Sequence, residues 1–347
     1  MIIKARINGK AVSLLVDTGA PNVISSSLVE KLNLISINSE EVSDIHGTSE
    51  RLEIVRLDTV TVGNTNFLNT TATVANFNEL PFSCLEIDGL LGSNLMRHAI
   101  WDFDFQTQTI SFSSSPPRLD SKDDVYTSKI FVGAAGVPAV TLNSDGSKVL
   151  NNTIDLGSNG GVNMSLKEYL KQKKKGQLDS VIKYIGSDAY GIFGIGDSIS
   201  TSYHSIINEF TLGDLEIRSQ PVSFEGDGNR IGLEFWTNYR LILNWFDREV
   251  KLISANNPKK ADDEISFTPV WSENNLFITQ IKLGTNAEKD GLQIGDKIIS
   301  IGSKDLSFLS QEEWCNIVIG EHSLIDAETE IMKVETNSGE IKSIRVR

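Results

Sequence analysis

Cysteine is nearly absent from this chain: Cys84 and Cys315 are the only two in 347 residues. Two thiols cannot build the bridge framework that staples small secreted domains, so the fold must rest on a hydrophobic core. Neither sits in a recognisable partner motif, and burial as a small apolar side chain is the expected role of each. Histidine is scarce as well. His46, His98, His204 and His322 show no HExxH or related spacing, so neither a metal nor another cofactor is expected. Basic residues are outnumbered, 32 Lys and Arg against 46 Asp and Glu, for a net charge of -14. Such a chain repels phosphate backbones, which argues against nucleic acid as a partner. Apolar runs stop well short of the ~20 residues that span a bilayer. The opening MIIKARI enters strand-like alternation at once and lacks the regions of a signal peptide, as expected of a cytosolic protein or one parted from its leader.

What is present is a mainly β pattern. Short alternating segments fill the chain to about residue 255, separated by Asn-Gly, Asp-Gly, Gly-Asn and Gly-Asp pairs that mark tight turns. Helices are expected over 26–34 and 165–174, the lysines of the second forming a solvated face. Two breaker-rich stretches, SSSPPRLDSKDD from Ser113 and NNPKKADD from Asn256, divide the chain into segments 1–112, 127–255 and 264–347.

The first two segments repeat one another. Turns at Asn8-Gly9 and Asp145-Gly146 precede Asp17-Thr18-Gly19 and Asp155-Leu156-Gly157 at nearly equal spacing. A short helix follows each triplet. LDTVTVGNTNFLNTTATV from Leu57 then matches INEFTLGDLEIRSQPVSF from Ile207, with Thr61 and Gly63 recurring as Thr211 and Gly213. Leu90-Leu91-Gly92 and Ile231-Gly232 come next, each leading into an aromatic, acidic strand. One Asp-x-Gly triplet alone is ordinary turn chemistry. Two at equivalent points of an internal repeat are not, because a two-fold arrangement brings equivalent points together at the interface.

Two carboxylates in contact cannot both ionise cheaply, so they share a proton and offer an acid and a base at once. The base can deprotonate a water while the acid protonates a peptide carbonyl, with no covalent adduct. The glycines let both loops approach closely. Ser158 carries a hydroxyl that the equivalent Ala20 lacks. Donation from it to Asp155 would favour the ionised form there and make Asp155 the base.

Through VDTGAPNVIS, IDLGSNGGVNMS and the two hydrophobic-Gly motifs, the first 255 residues resemble the aspartic peptidases, and among them retropepsin-like bacterial members with both halves in one chain. The resemblance implies two homologous β-rich lobes around a cleft, an aspartic endopeptidase acting on proteins or peptides, and a monomeric catalytic unit. It implies Asp17 and Asp155 as the catalytic pair, supported by Thr18, Gly19, Ala20, Gly157 and Ser158. A flap is expected near 42–52, with Ile45, His46 and Gly47 at its tip. An exported protein is also implied. Leu156 stands where the family usually has a second threonine, and VSDIHGTSERL lacks the flap tyrosine of pepsin-like members. The glycines of YGIFGIGDS, Tyr190 to Ser198, precede no Lys-Ser/Thr and suit a second-lobe flap or loop better than a phosphate cradle.

From Asp263 the pattern changes. AEKDGLQIGDKIISIGSKDL resembles a PDZ domain, through Ala287, Gly291, Leu292, Gly295, Asp296 and Ile298. A small α/β domain is implied, whose family captures peptide C-termini; because no GLGF-type loop is visible and the equivalent region near ADDEISF is acidic, a structural or intramolecular role stands equally beside such capture. The S-x-x-E from Ser310 to Glu313 predicts a capped helix. The rival to an enzyme is a peptide-binding or scaffolding protein that keeps the cleft and the third segment without turnover.

Overall fold

The computed structural model describes residues 1–44, 47–78, 80–120, 124–144, 147–187, 191–194, 199–254, 265–320, 324–325 and 330–346. Asp145-Gly146 and the stretch from Asn256 to Asp263 lie outside them. The chain is mainly β and bilobal, as its alternation implies. Among the described residues, no helix is long and apolar enough to cross a membrane.

The first lobe starts with a hairpin, Ile2–Ile7 against Lys10–Asp17, closed by Asn8 and Gly9 at φ 47° and 84°. Two positive φ values match the right-handed twist of the strands, which is why Asn-Gly stands there. Along Lys10–Asp17 the residues alternate: Val12, Leu14 and Val16 are buried in the main core, while Leu15 faces a smaller cluster on the other side. The strand delivers Asp17 to the sheet's end.

There Lys10–Asp17 runs parallel to Gly89–Gly92, with Val16 opposite Leu91 and Asp17 opposite Gly92. In the second lobe Ser147–Ile154 runs parallel to Asn229–Ile231, with Ile154 opposite Ile231. The strands after each triplet, Val23–Ser25 and Val162–Met164, pair antiparallel to these same partners. The long hairpins also match, Ser49–Val62 with Thr65–Ala75 and Thr201–Leu212 with Leu215–Phe224. Thus the sequence repeat is a repeat of topology.

The predicted helices form at Ser26–Leu32 and Leu166–Lys174. The first stops early because Asn33 turns left-handed, φ 51°, and caps it. The lobes share a five-stranded sheet in which Ile100–Asp104 pairs with Tyr239–Asn244 across the pseudo-two-fold. One buried cluster runs through both lobes, from Val16 and Trp101 to Leu156 and Trp236. That continuity fixes the lobes as one body.

The third segment has its own core around Phe267, Leu276, Ile298, Trp314 and Met332. Its helix Gln311–Val318 opens with the predicted capping box between Ser310 and Glu313. Two features differ from the expectation for this segment. Its strand Asn275–Lys282 joins the second lobe's sheet, Gln280–Lys282 pairing with Tyr184–Gly186. And the cysteines are not separate apolar fillers: Cys84 and Cys315 form a disulfide between the first lobe and the third segment, across 231 residues of sequence. Sequence spacing carries no information about such a contact, because folding alone brings the short helix Phe82–Leu85 against Gln311–Val318.

Candidate active site

Asp17 and Asp155 meet where the two lobes abut. Each is half-buried, and the carboxyl groups are hydrogen-bonded to one another. The two loops hold their carboxylates with matching backbone bonds. Gly19 N–H donates to Asp17 Oδ1 at 2.8 Å, and Gly157 N–H to Asp155 Oδ1 at 3.0 Å. A second N–H, from Ala20 or Ser158, supports each carboxylate. Ala20 C=O accepts from Ser93 N–H and Ser158 C=O from Leu233 N–H, both at 2.8 Å.

The glycines pack reciprocally. A Cβ on Gly19 would lie 2.7 Å from Asp155 Cγ, and one on Gly157 would lie 2.5 Å from Asp17 Cγ. No side chain fits between the lobes at either point. Below them, the buried Thr18 hydroxyl donates to Ile154 C=O at 2.6 Å and accepts from Leu156 N–H at 3.0 Å. One threonine thus bonds the opposite loop twice, while Leu156 is fully buried in the shared core.

Burial and the neighbouring Asp155 charge, in that order, push Asp17 up to about 7. Burial also raises Asp155, against four opposing influences: the positive charge of Arg230, the N–H groups of Gly157 and Ser158, and the hydrogen bond with Asp17. The pair therefore shares one proton, and Arg230 with these N–H groups favours the negative charge on the Asp155 side. The serine hydroxyl is not the cause. Ser158 Oγ instead accepts from Gly160 N–H at 3.4 Å, and only the Ser158 backbone reaches Asp155.

Arg230 is the residue that sequence reasoning missed. It stands opposite Thr153, whereas Leu90 stands opposite Leu15 at the matching place in the first lobe. The repeat itself held the signal, in the residue before each hydrophobic-Gly pair. Arg230 also bridges to Glu225 at 3.0 Å.

A hairpin of the first lobe meets a hairpin of the second. Ser36–Ser43 and Ser49–Val62 form the first, whose expected tip holds Gly47. Ile45 and His46 lie outside the described residues. Nearby Asp44 touches Gly191, where a Cβ would come within 2.3 Å of its Oδ2. Gly191 belongs to the second hairpin's loop, between Leu178–Gly186 and Thr201–Leu212, and pairs with Gly194. Next to it, Ile192 packs on the first-lobe cluster of Val23, Phe77, Ile87 and Leu90, which Leu15, Ala20, Phe82 and Leu85 join. Tyr190 and 195–198 of that glycine-rich stretch lie outside the described residues.

The aspartyl protease family model matches residues 3–95, and the PDZ domain family model matches residues 253–319. Among solved structures, a retropepsin-like aspartic protease from Rickettsia conorii is similar at 21% identity, covering 28% of this chain and 68% of that one, with a TM-score of 0.21. No curated protein matches. By the two family models the chain joins an N-terminal segment of aspartyl protease type to a C-terminal PDZ segment, and the first of these matches supports a protease-type function.

Proposed function

We propose that this protein is an aspartic endopeptidase whose catalytic residues are Asp17 and Asp155, and that segments 1–112, 127–255 and 264–347 are its two lobes and PDZ domain. The observation that carries the reading is the reciprocal packing of Gly19 on Asp155 and Gly157 on Asp17. It holds two carboxyl groups within hydrogen-bonding reach, in surroundings that keep one of them protonated.

A substrate peptide lies across the pair. Asp155, ionised, takes a proton from water as the water oxygen bonds to the scissile carbonyl carbon, and Asp17 gives its proton to the carbonyl oxygen. The tetrahedral diol collapses when Asp155 passes its proton to the leaving nitrogen. The C–N bond breaks and Asp17 recovers a proton from a diol hydroxyl. Arg230 assists by stabilising the anionic form of Asp155 before the attack. Both carboxylates come from one chain, so a monomer suffices.

The test is digestion of a mixed peptide library, with and without a pepstatin-like inhibitor. Inhibitor-sensitive new termini support the proposal. Peptides retained but uncut would instead favour a binding or scaffolding protein, and would overturn it.

A further inference from the structure

Next to each aspartate the two lobes carry three side chains at matching places, and fill them with opposite chemistry. In the first lobe Leu90 stands opposite Leu15 on one neighbouring strand and opposite Val23 on the other. In the second, Arg230 stands opposite Thr153 and opposite Asn163. Leu15 and Thr153 each lie two residues before their aspartate, and side chains two apart in a strand share a face. Both trios therefore adjoin the pair. The residues between them, Val16 and Leu91 or Ile154 and Ile231, point the other way into the shared core.

The apolar trio is sealed, with Val23 and Leu90 buried in one cluster beside Phe77 and Ile87. The polar trio is more open. The side chain of Arg230 is 21% exposed and that of the neighbouring Glu225 26%. Among the described residues the guanidinium makes one hydrogen bond, from Nη2 to Glu225 Oε1 at 3.0 Å. Asn163 Nδ2 donates to that same oxygen at 2.8 Å. Nε and Nη1 of Arg230 and Oε2 of Glu225 make no hydrogen bond among the described residues, so donors and an acceptor stand open side by side.

Charge decides which group suits them. Arg230 is one cation between two carboxylates, Glu225 and Asp155. A third carboxylate meets repulsion from both, and a substrate cation meets Arg230 itself. An apolar side chain would cover the open donors and acceptor without bonding them, leaving them orphaned. A neutral group that accepts and donates at once satisfies the set. A carboxamide does so on two atoms, its C=O for the guanidinium and its NH2 for the glutamate, where a hydroxyl has a single oxygen.

We propose that Arg230 and Glu225 form a polar subsite beside Asp155 that selects a carboxamide, the Gln or Asn side chain of a substrate residue flanking the scissile bond. This deepens the peptidase reading and rests on it for cleavage. The matching place in the first lobe, filled by Leu90, offers no such bonds.

The experiment compares peptides that carry Gln, Glu, Leu or Lys at one position, scanned along a single sequence. For the unaltered protein Gln should exceed each of the others in kcat/KM by about tenfold at one flanking position, the scale of a hydrogen bond to a charged group. Arg230→Leu slows every peptide through Asp155, so the readout is the ratio between peptides within one protein, which tuning of Asp155 alone leaves unmoved. In that variant the order should reverse, Leu exceeding Gln. Glu225→Gln removes one of the two repelling carboxylates and should narrow the margin of Gln over Glu. Equal ratios in all three proteins overturn the subsite, as does an unaltered protein that prefers Glu, Leu or Lys at every position. Binding separates the two readings, because Asp17→Asn should hold peptides without cutting them. If no form cuts any peptide but Asp17→Asn binds Gln peptides above Leu peptides, and Asp17→Asn/Arg230→Leu does not, the subsite stands and the peptidase reading fails. Without that binding preference the subsite falls too. Should Arg230→Leu not fold, the Glu225→Gln comparison decides.

Discussion

The hydroxyl of Thr18 reaches across the lobe interface to the backbone of Leu156, accepting its N–H at 3.0 Å while donating to Ile154 C=O. All three groups are buried. Thr18→Val keeps the shape and removes both bonds, leaving a buried N–H and a buried C=O without this partner. A loss of about 1–3 kcal/mol is expected for such orphaned groups. Thermal or denaturant unfolding measures it, and an unaltered midpoint would show that the interface does not depend on this threonine.

Asp17→Asn and Asp155→Asn should each lower kcat/KM by about 10²-fold or more, the scale at which positioned general acids and bases act. The far-ultraviolet circular dichroism should not change. Near-normal turnover in either variant would remove that residue from the chemistry.

Gly157→Ala places a methyl group 2.5 Å from the Asp17 carboxyl carbon. The loops must separate to admit it. Cleavage should fall with the fold retained, and a crystal structure or inhibitor titration should report a parted pair; full activity would contradict the close apposition.

The pH behaviour follows from Asp17, raised to about 7 by burial and by Asp155. Its native state holds a proton that the unfolded chain releases near pH 4. This contribution to stability is complete below the unfolded value and is lost as pH rises through about 7. Peptide cleavage should fall along the same limb. Asp17→Asn should flatten the dependence of stability on pH in that window, and a slope equal to that of the unaltered protein would disprove the cause.

Arg230→Leu restores the residue found at the matching place in the first lobe. Without that positive charge Asp155 ionises less readily, so the acid limb of kcat/KM should move to higher pH. Arg230→Lys should recover part of the shift. A limb that stays in place would mean that Arg230 serves only its bridge to Glu225.

Much of this protein was legible in one dimension. The repeat placed both Asp-x-Gly loops, since equivalent turns and strands recur in the same order, and Asn8-Gly9 specified its turn through backbone geometry alone. Val12, Leu14 and Val16 announced the buried face of their strand by alternation. The capping box at Ser310 was likewise local and correctly read.

Three features were decided only in space. The positive charge that favours the ionised form of Asp155 comes from Arg230, which reaches it through the register of a parallel strand pair and not through sequence neighbourhood. Ile192 meets the cluster beside Ala20 because a hairpin of one lobe crosses to the other. Cys84 and Cys315 find each other because the PDZ domain folds back onto the first lobe. Sequence encodes periodicity and turn chemistry, which act between near neighbours. Charge, close packing and covalent pairing act through distance, and distance between remote residues exists only once the chain has folded.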